Sequence, residues 1–243
     1  MYPIDTDPLA NVLVVLSGGQ DSTTCLYAAL TTRAEVDRCD MEAPKVIAIA
    51  FDYGQKHAVE LECAKKIALD AGVVLRVVPL PFYKHLVKSA LTDTSLSTDS
   101  EHHRLKGRPA TFTPNRNALF LTLAHAYAQE QDCHEVWTGV CETDFSGYPD
   151  CRINFIVKMF DALNEGSESE IDVVTPLMYL TKAQTFQLAA DSNGLQAVLH
   201  DSHTCYNGDH STANTWGYGC GTCPACDLRA KGWAGYLAYH AGD

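Results

Sequence analysis

Four cysteines near the end of the chain and a glycine turn near its start have the residue types and spacing for chemistry. Cys220, Cys223 and Cys226 sit at x2 spacing, with Cys205 upstream as a fourth thiol. Four thiolates fill a tetrahedral zinc ion with no open position, the structural kind of site. The same spacing suits an iron–sulfur cluster or redox thiols, and His200, His203 or His210 is an alternative to Cys205 as the fourth ligand. The turn is Ser17-Gly18-Gly19-Gln20-Asp21-Ser22. Adjacent glycines let a backbone approach a ligand closely. The free N–H groups and dipole of a helix starting there make an anion site, to which Ser17 and Ser22 add hydroxyl donors. Asp21 is expected to hold magnesium or order the loop rather than meet phosphate. The pattern is neither GxxxxGK[ST] nor GxGxxG.

Three further stretches carry unusual polar groups. Arg116 and Asn117 open an apolar helical run, and Lys182 opens another behind Thr181, with Gln184 placed for a capping box. A cation at a helix start opposes the dipole, so an anionic ligand explains it as well as a plain surface position does. Phe51-Asp52-Tyr53-Gly54-Gln55-Lys56-His57 follows a strand-like run, and there Asp52 and Tyr53 rank above His57 as candidates. Glu142, Asp144 and Asp150 share a loop with Phe145 and Tyr148. A carboxylate accepts both adjacent N–H donors on the pairing edge of a guanine-like base, and an aromatic ring stacks on its face. That loop therefore suits such a base or magnesium; a solvated acidic turn is the plain alternative.

The elements that must position these groups alternate. Asn11–Leu16, Val46–Phe51, Val73–Val78, Glu135–Val140 and Ile171–Val174 read as strands. Asp21–Thr32, His57–Asp70, Tyr83–Leu91, Asn115–Gln129, Ile153–Leu163 and Thr181–Asp191 read as helices, with Asn115–Gln129 apolar on nearly every side. Strand–helix alternation predicts a parallel sheet with helices on both faces, and ligands beyond the carboxyl ends of its strands. Thr92–Pro114 has no periodicity and reads as a functional loop or disorder.

The chain has 243 residues, of which 46% are apolar, enough to exclude wholesale disorder. Its longest apolar runs fall far short of a membrane span, and no secretory signal is visible, so a cytoplasmic setting is expected. Eighteen Lys and Arg against 30 Asp and Glu give −12, which repels a phosphate backbone. The single cysteines Cys25, Cys39, Cys63, Cys133, Cys141 and Cys151 read as small core residues.

The glycine turn resembles the SGGxDS loop of the N-type ATP pyrophosphatases, the PP-loop superfamily. Together with FDYGQKH, PNRN, ETDFSGYPDCR, TPLMYLTKAQT and Cys205…CGTCPAC, in that order, it makes residues 11–237 closely similar to the QueC family, the 7-cyano-7-deazaguanine synthases. The resemblance implies a Rossmann-like (adenine nucleotide alpha hydrolase-like) sheet in a PP-loop domain, residues 1–195, and a zinc-binding appendage, 196–243. It implies conversion of 7-carboxy-7-deazaguanine and ammonia to the nitrile in queuosine synthesis, with ATP, magnesium and structural zinc, by a homodimer that binds neither nucleic acid nor membrane. It assigns ATP to Leu16, Ser17, Gly18, Gly19, Gln20, Asp21, Ser22, Thr23, Thr24, Cys25, Leu26, Asp52 and Tyr53. Asp21, Arg116 and Lys182 become the catalytic candidates, and Gln55, Asn117, Glu142, Asp144, Tyr148 and Asp150 the substrate-binding ones. Cys205, Cys220, Cys223 and Cys226 become the zinc ligands. Two departures stand out: Asn115 replaces a glycine before Arg-Asn, and 14 residues separate Cys205 from Cys220. A relative joining the activated carboxylate to another amine, a tRNA thiolation enzyme, and a non-catalytic ATP-binding module are the competing readings.

Overall fold

The computed structural model describes residues 6–7, 9–34, 44–56, 58–93, 95–98, 100–142 and 148–241. Its centre is a five-stranded parallel sheet of β1 (Val12–Val15), β2 (Val46–Asp52), β3 (Val74–Pro79), β4 (Glu135–Trp137) and β5 (Asp172–Val174), in the order β3-β2-β1-β4-β5. Val12, Leu13 and Val14 pair with both β2 and β4, so β1 is central and buried on both faces, as its unbroken apolar run requires.

Side chains alternate across a strand, and the two faces collect different helices. Val12, Val14 and Leu16 join Leu26 and Ala29 of α1 (Gln20–Ala34) and Ala64 and Ile67 of α2 (Val59–Asp70). Leu13 and Ile49 face the other way. They join α3 (Tyr83–Leu86), α4 (Arg116–Glu130) and α5 (Ile153–Ser167) through Tyr83, Leu121 and Ile156. The expected layers are therefore present.

Several boundaries differ from the sequence reading. β4 stops at Trp137, because Thr138 to Val140 leave the ladder to line a cleft. α3 ends at Leu86, where Val87 turns extended at φ −126°. α4 buries fully only Leu121, Ala124, His125 and Ala128, since Arg116, Asn117 and Phe120 at its start face the same cleft. The stretch 92–114 holds no helix or strand among the described residues. It folds back on itself instead, with Ala90 N–H bonding the Ala110 carbonyl at 2.8 Å and a bridge between Glu101 and Pro109. Cys25, Cys63, Cys133 and Cys141 are buried, Cys151 is half-buried, and Cys39 lies outside the described residues.

Beyond α6 (Lys182–Asp191) the chain forms α7 (Leu195–His200), a small hairpin of β6 (Ala213–Asn214) and β7 (Gly217–Tyr218), and α8 (Pro224–His240). Too few periodic residues precede α7 or the hairpin for either to be visible in sequence. Pro224 at the first turn and Cys223 before it start α8 inside the cysteine cluster. α8 lies against α6 so closely that a Cβ on Gly232 would stand 2.5 Å from the Lys182 Cβ. Among the described residues, no helix is long and apolar enough to cross a membrane.

Candidate active site

Strand order reverses beside β1, with β2 on one side and β4 on the other, which places a crevice at the carboxyl ends of β1 and β4. The glycine turn lies in it. Gly18 has φ +86°, and a Cβ there would stand 2.2 Å from the Glu60 carbonyl oxygen, so only glycine lets the turn pass α2. Ser22 Oγ takes the Ser17 N–H at 3.1 Å and lies 3.0 Å from Ser17 Oγ. Thr23 and Thr24 hydroxyls donate back to the Gly19 and Gln20 carbonyls at 2.7 and 3.0 Å. The loop is thus wound tight, and the N–H groups of the first turn of α1 are left for an anion. The His203 N–H, from the C-terminal segment, donates to the Gly18 carbonyl at 2.8 Å and straps the turn from outside.

Lys182 starts α6, whose Thr181–Gln184 capping box is formed. Its Nζ lies 2.8 and 2.7 Å from the two Asp21 carboxylate oxygens, and both side chains are mostly shielded from water. Two candidates far apart in sequence therefore meet at the phosphate loop.

The cleft has two lobes. The larger, about 310 Å³, is lined by Ser17, Gly19, Asp21 and Ser22 on one side and by Tyr53, Gln55, Glu60, Arg116, Asn117 and Phe120 on the other. Phe51 and Phe120 stack at 4.5 Å, and Tyr53 tilts against Phe120 at 5.3 Å, giving an aromatic wall. The Arg116 guanidinium lies over the Tyr53 and Phe120 rings at 5.9 and 6.0 Å, with Nε buried and unpartnered. Burial pushes its pKa down, but Tyr53, Cys151, Tyr148 and Asp150 around it outweigh that and raise it. Asn115, the substituted glycine position, adopts φ 56° and ψ 23°, the left-handed geometry that asparagine tolerates. The smaller lobe, about 200 Å³, is lined by Gln20, Cys141, Lys182, Ala225, Leu228 and Arg229. Asp21, Tyr148, Cys151, Thr204 and Tyr206 border both lobes.

The sequence candidates divide cleanly. Ser17, Gly19, Asp21, Ser22, Tyr53, Gln55, Arg116, Asn117, Tyr148 and Lys182 line the cleft. Leu16, Thr23, Thr24, Cys25 and Leu26 are buried in the packing of α1 behind the loop. Asp52 is exposed and accepts the Gly54 N–H at 3.2 Å. Asp150 is buried and accepts the Asn117 N–H at 3.1 Å, so it caps α4. Glu142 accepts the Ile153 N–H at 3.1 Å at the start of α5. Neither lines the cleft. Asp144, Phe145 and His57 lie outside the described residues.

Sequence reasoning missed Glu60, which joins Asp21 as a carboxylate among the described residues of the larger lobe. Burial pushes its pKa up to about 7, against the pull of Arg116. Its position in the first turn of a helix after a parallel strand was the available signal. Thr204, Tyr206 and Arg229 were also missed, since nothing local in sequence ties them to the loop.

The four C-terminal sulfurs converge within 4.8 Å of one another, with Cys220–Cys226 and Cys205–Cys223 each at 4.0 Å. Zinc–sulfur bonds of about 2.3 Å give tetrahedral edges of about 3.8 Å. The donor set thus fits one metal ion, and the long insertion leaves it intact by folding into β6 and β7.

Comparison with known proteins identifies the family. The profile of the family described as "Queuosine biosynthesis protein QueC" matches residues 11–237. A 7-cyano-7-deazaguanine synthase of Wolinella succinogenes is 48% identical over 94% of each chain. One from Helicobacter pylori (strain Shi470) is 45% identical over 90% of this chain and 93% of its own. Another, from Nitratidesulfovibrio vulgaris, is 45% identical over 95% of both.

Proposed function

We propose that this chain, which belongs to the QueC family of queuosine biosynthesis proteins, makes 7-cyano-7-deazaguanine from 7-carboxy-7-deazaguanine, ammonia and ATP. The observation that carries the reading is convergence. The phosphate loop, the Lys182–Asp21 pair, Arg116 and an aromatic wall all border one cleft at the sheet's reversal point.

A carboxylate resists ammonia because oxide is a poor leaving group. Transfer of AMP from ATP to the carboxylate oxygen releases pyrophosphate and makes that oxygen expellable. Ammonia then displaces AMP to give the carboxamide. A second activation, on the amide oxygen, lets loss of both amide protons and departure of that oxygen as part of AMP form the nitrile. No covalent enzyme nucleophile is needed, so rate comes from alignment and from neutralising phosphate charge. The first-turn N–H groups of α1, with Ser17 and Ser22, hold phosphate oxygens. Arg116 and Lys182 supply the cations. The wall of Phe51, Phe120 and Tyr53 stacks a flat base, and Glu60 is the carboxylate available to its pairing edge, beside Gln55 and Asn117.

Magnesium, when bound with ATP, would neutralise phosphate charge, and Asp21, beside the phosphate loop, is the described carboxylate that would meet it. Zinc in the four-thiolate site holds the C-terminal segment. Homodimerisation and the cytoplasmic setting complete the reading; the net charge of −12 fits a free base as substrate rather than tRNA. Incubation of purified protein with ATP, magnesium, ammonium and the carboxylated base tests it. Mass spectrometry should find the nitrile and, at short times, the carboxamide. Absence of both overturns it, and an adduct with another amine supports the competing ligase.

A further inference from the structure

The smaller lobe is bordered by a residue whose amide no described residue satisfies. Gln20 is 2% exposed, and both its amide oxygen and its amide nitrogen are buried without a hydrogen-bond partner. A buried amide left unpaired costs about 1–3 kcal/mol. Gln20 is not among the residues that border the larger lobe, where the phosphate-facing groups are; it is among those that border the smaller one. Other polar groups there are engaged. Lys182 holds Asp21, Tyr148 OH lies 2.6 Å from Thr111 Oγ1, and Thr204 Oγ1 accepts from Arg229 at 2.8 Å.

We infer that the smaller lobe is the ammonia site and that the Gln20 amide holds ammonia beside the activated carboxyl. The inference rests on the proposed reaction and adds where its second substrate enters. About 200 Å³ is ample for a molecule of water's size, whose share of liquid volume is about 30 Å³. The lobe's walls also select a protonation state. Lys182 and Arg229 contribute two cations, and the carboxylate among the described lining residues, Asp21, is already held by Lys182. Such a lobe repels ammonium and admits neutral ammonia, the nucleophilic form. The Gln20 carbonyl accepts one ammonia N–H, which leaves the nitrogen lone pair free to attack. The lobe meets the larger one along Asp21, Tyr148, Cys151, Thr204 and Tyr206. In the step itself the lone pair forms the C–N bond, the bond from carbon to the AMP oxygen breaks, and the proton shed by nitrogen goes to the departing AMP phosphate.

Replacing Gln20 with Leu or with Met removes the amide and keeps the volume, so both variants should fold, with thermal stability equal to or above wild type because no unpaired polar group remains. The assay follows nitrile and carboxamide by mass spectrometry against ammonium concentration. It is run beside conversion of synthetic carboxamide to nitrile, which bypasses ammonia. The KM for ammonium should rise about tenfold, as expected for a lost hydrogen bond and a lobe turned apolar. The KM for the carboxylated base should stay within about twofold, so that the loss is confined to ammonia. An unchanged ammonium KM overturns the inference. So does an equal rise in KM for the carboxylated base together with slower carboxamide conversion, which would place the base in the lobe. If wild type makes no nitrile at all, the proposed function fails first and takes the inference with it.

Discussion

Arg116 and Arg229 both carry a guanidinium out of water in the walls of one cleft, yet their surroundings differ in kind. In the C-terminal segment, Arg229 is 1% exposed. Its Nε donates to the Trp216 carbonyl at 2.9 Å, Nη1 to Thr204 Oγ1 at 2.8 Å and Nη2 to the Val198 carbonyl at 2.5 Å. Burial pushes its pKa down to about 10, but its donors are matched by fixed protein oxygens that tie α7, the hairpin and Thr204 together. At the start of α4, Arg116 rests on ring faces, with Nε unmatched. A buried cation whose hydrogen bonds close within the fold is a rivet. One that lies over ring faces in a cavity wall, with a donor left unmatched among the described residues, is prepared for an anion that is not part of the chain.

That contrast can be broken most forcefully by taking away the metal. Structural zinc binding is worth about 10–16 kcal/mol in small zinc modules, so a strong chelator or Cys226→Ser should unfold the segment that Arg229 rivets. Nitrile formation should then fall at least about a hundredfold, since a wall of the cleft is lost. Elemental analysis of the purified protein should find one ion per chain and identify it. Next comes Arg116→Met. Thermal unfolding should stay near wild type while kcat/KM falls by about 10²–10³, the usual loss when a donor to developing charge is removed. An equal loss of stability would show that Arg116 is a rivet too. Arg229→Met should do the reverse and cost about 3 kcal/mol, because several buried oxygens lose their donor. Calorimetry checks this, and kcat/KM for the carboxylated base in the fraction that remains folded should fall far less than in Arg116→Met.

A smaller effect sharpens the comparison from the carboxylate side. Glu60 has its pKa raised by burial to about 7, from 4.5 for a free glutamate. The folded state therefore holds its proton more tightly than the unfolded chain does. Stability from this group is complete below about pH 4.5 and lost as pH rises through 7. Glu60→Gln should accordingly be more stable than wild type at pH 8, by about 3 kcal/mol, and the two should converge in acid. Chemical denaturation at both pH values measures it, and the same variant should weaken binding of the carboxylated base. Least of all, Asn115→Gly should change stability by under about 1 kcal/mol, whereas Asn115→Val should cost about 1–2 kcal/mol because a β-branched residue resists φ 56°.

The sheet was legible because β1 and β2 are nearly unbroken apolar runs with several β-branched residues, a pattern that a strand buried on both faces requires. The phosphate loop was legible because its chemistry is local: glycines, hydroxyls and a helix start within six residues. Arg116 and Lys182 betrayed themselves by sitting where the helix dipole disfavours them. What stayed hidden was long-range. Asp150 looked like a ligand group until its carboxylate proved to cap α4 from 33 residues away. Glu60 looked like an ordinary first-turn acid, and Thr204 and Arg229 reach the cleft only because the C-terminal segment folds back onto it.

That fold-back has a consequence beyond architecture. His203 lies two residues before the first cysteine of the cluster, and its N–H clasps the Gly18 carbonyl. With an ion on the thiolates and ATP on the turn, as proposed, this clasp would link the two, and linkage runs both ways. Saturating nucleotide should slow the escape of the ion to a chelator, and a cell short of that ion would lose the reaction through slackened phosphate contacts before the protein itself disappeared.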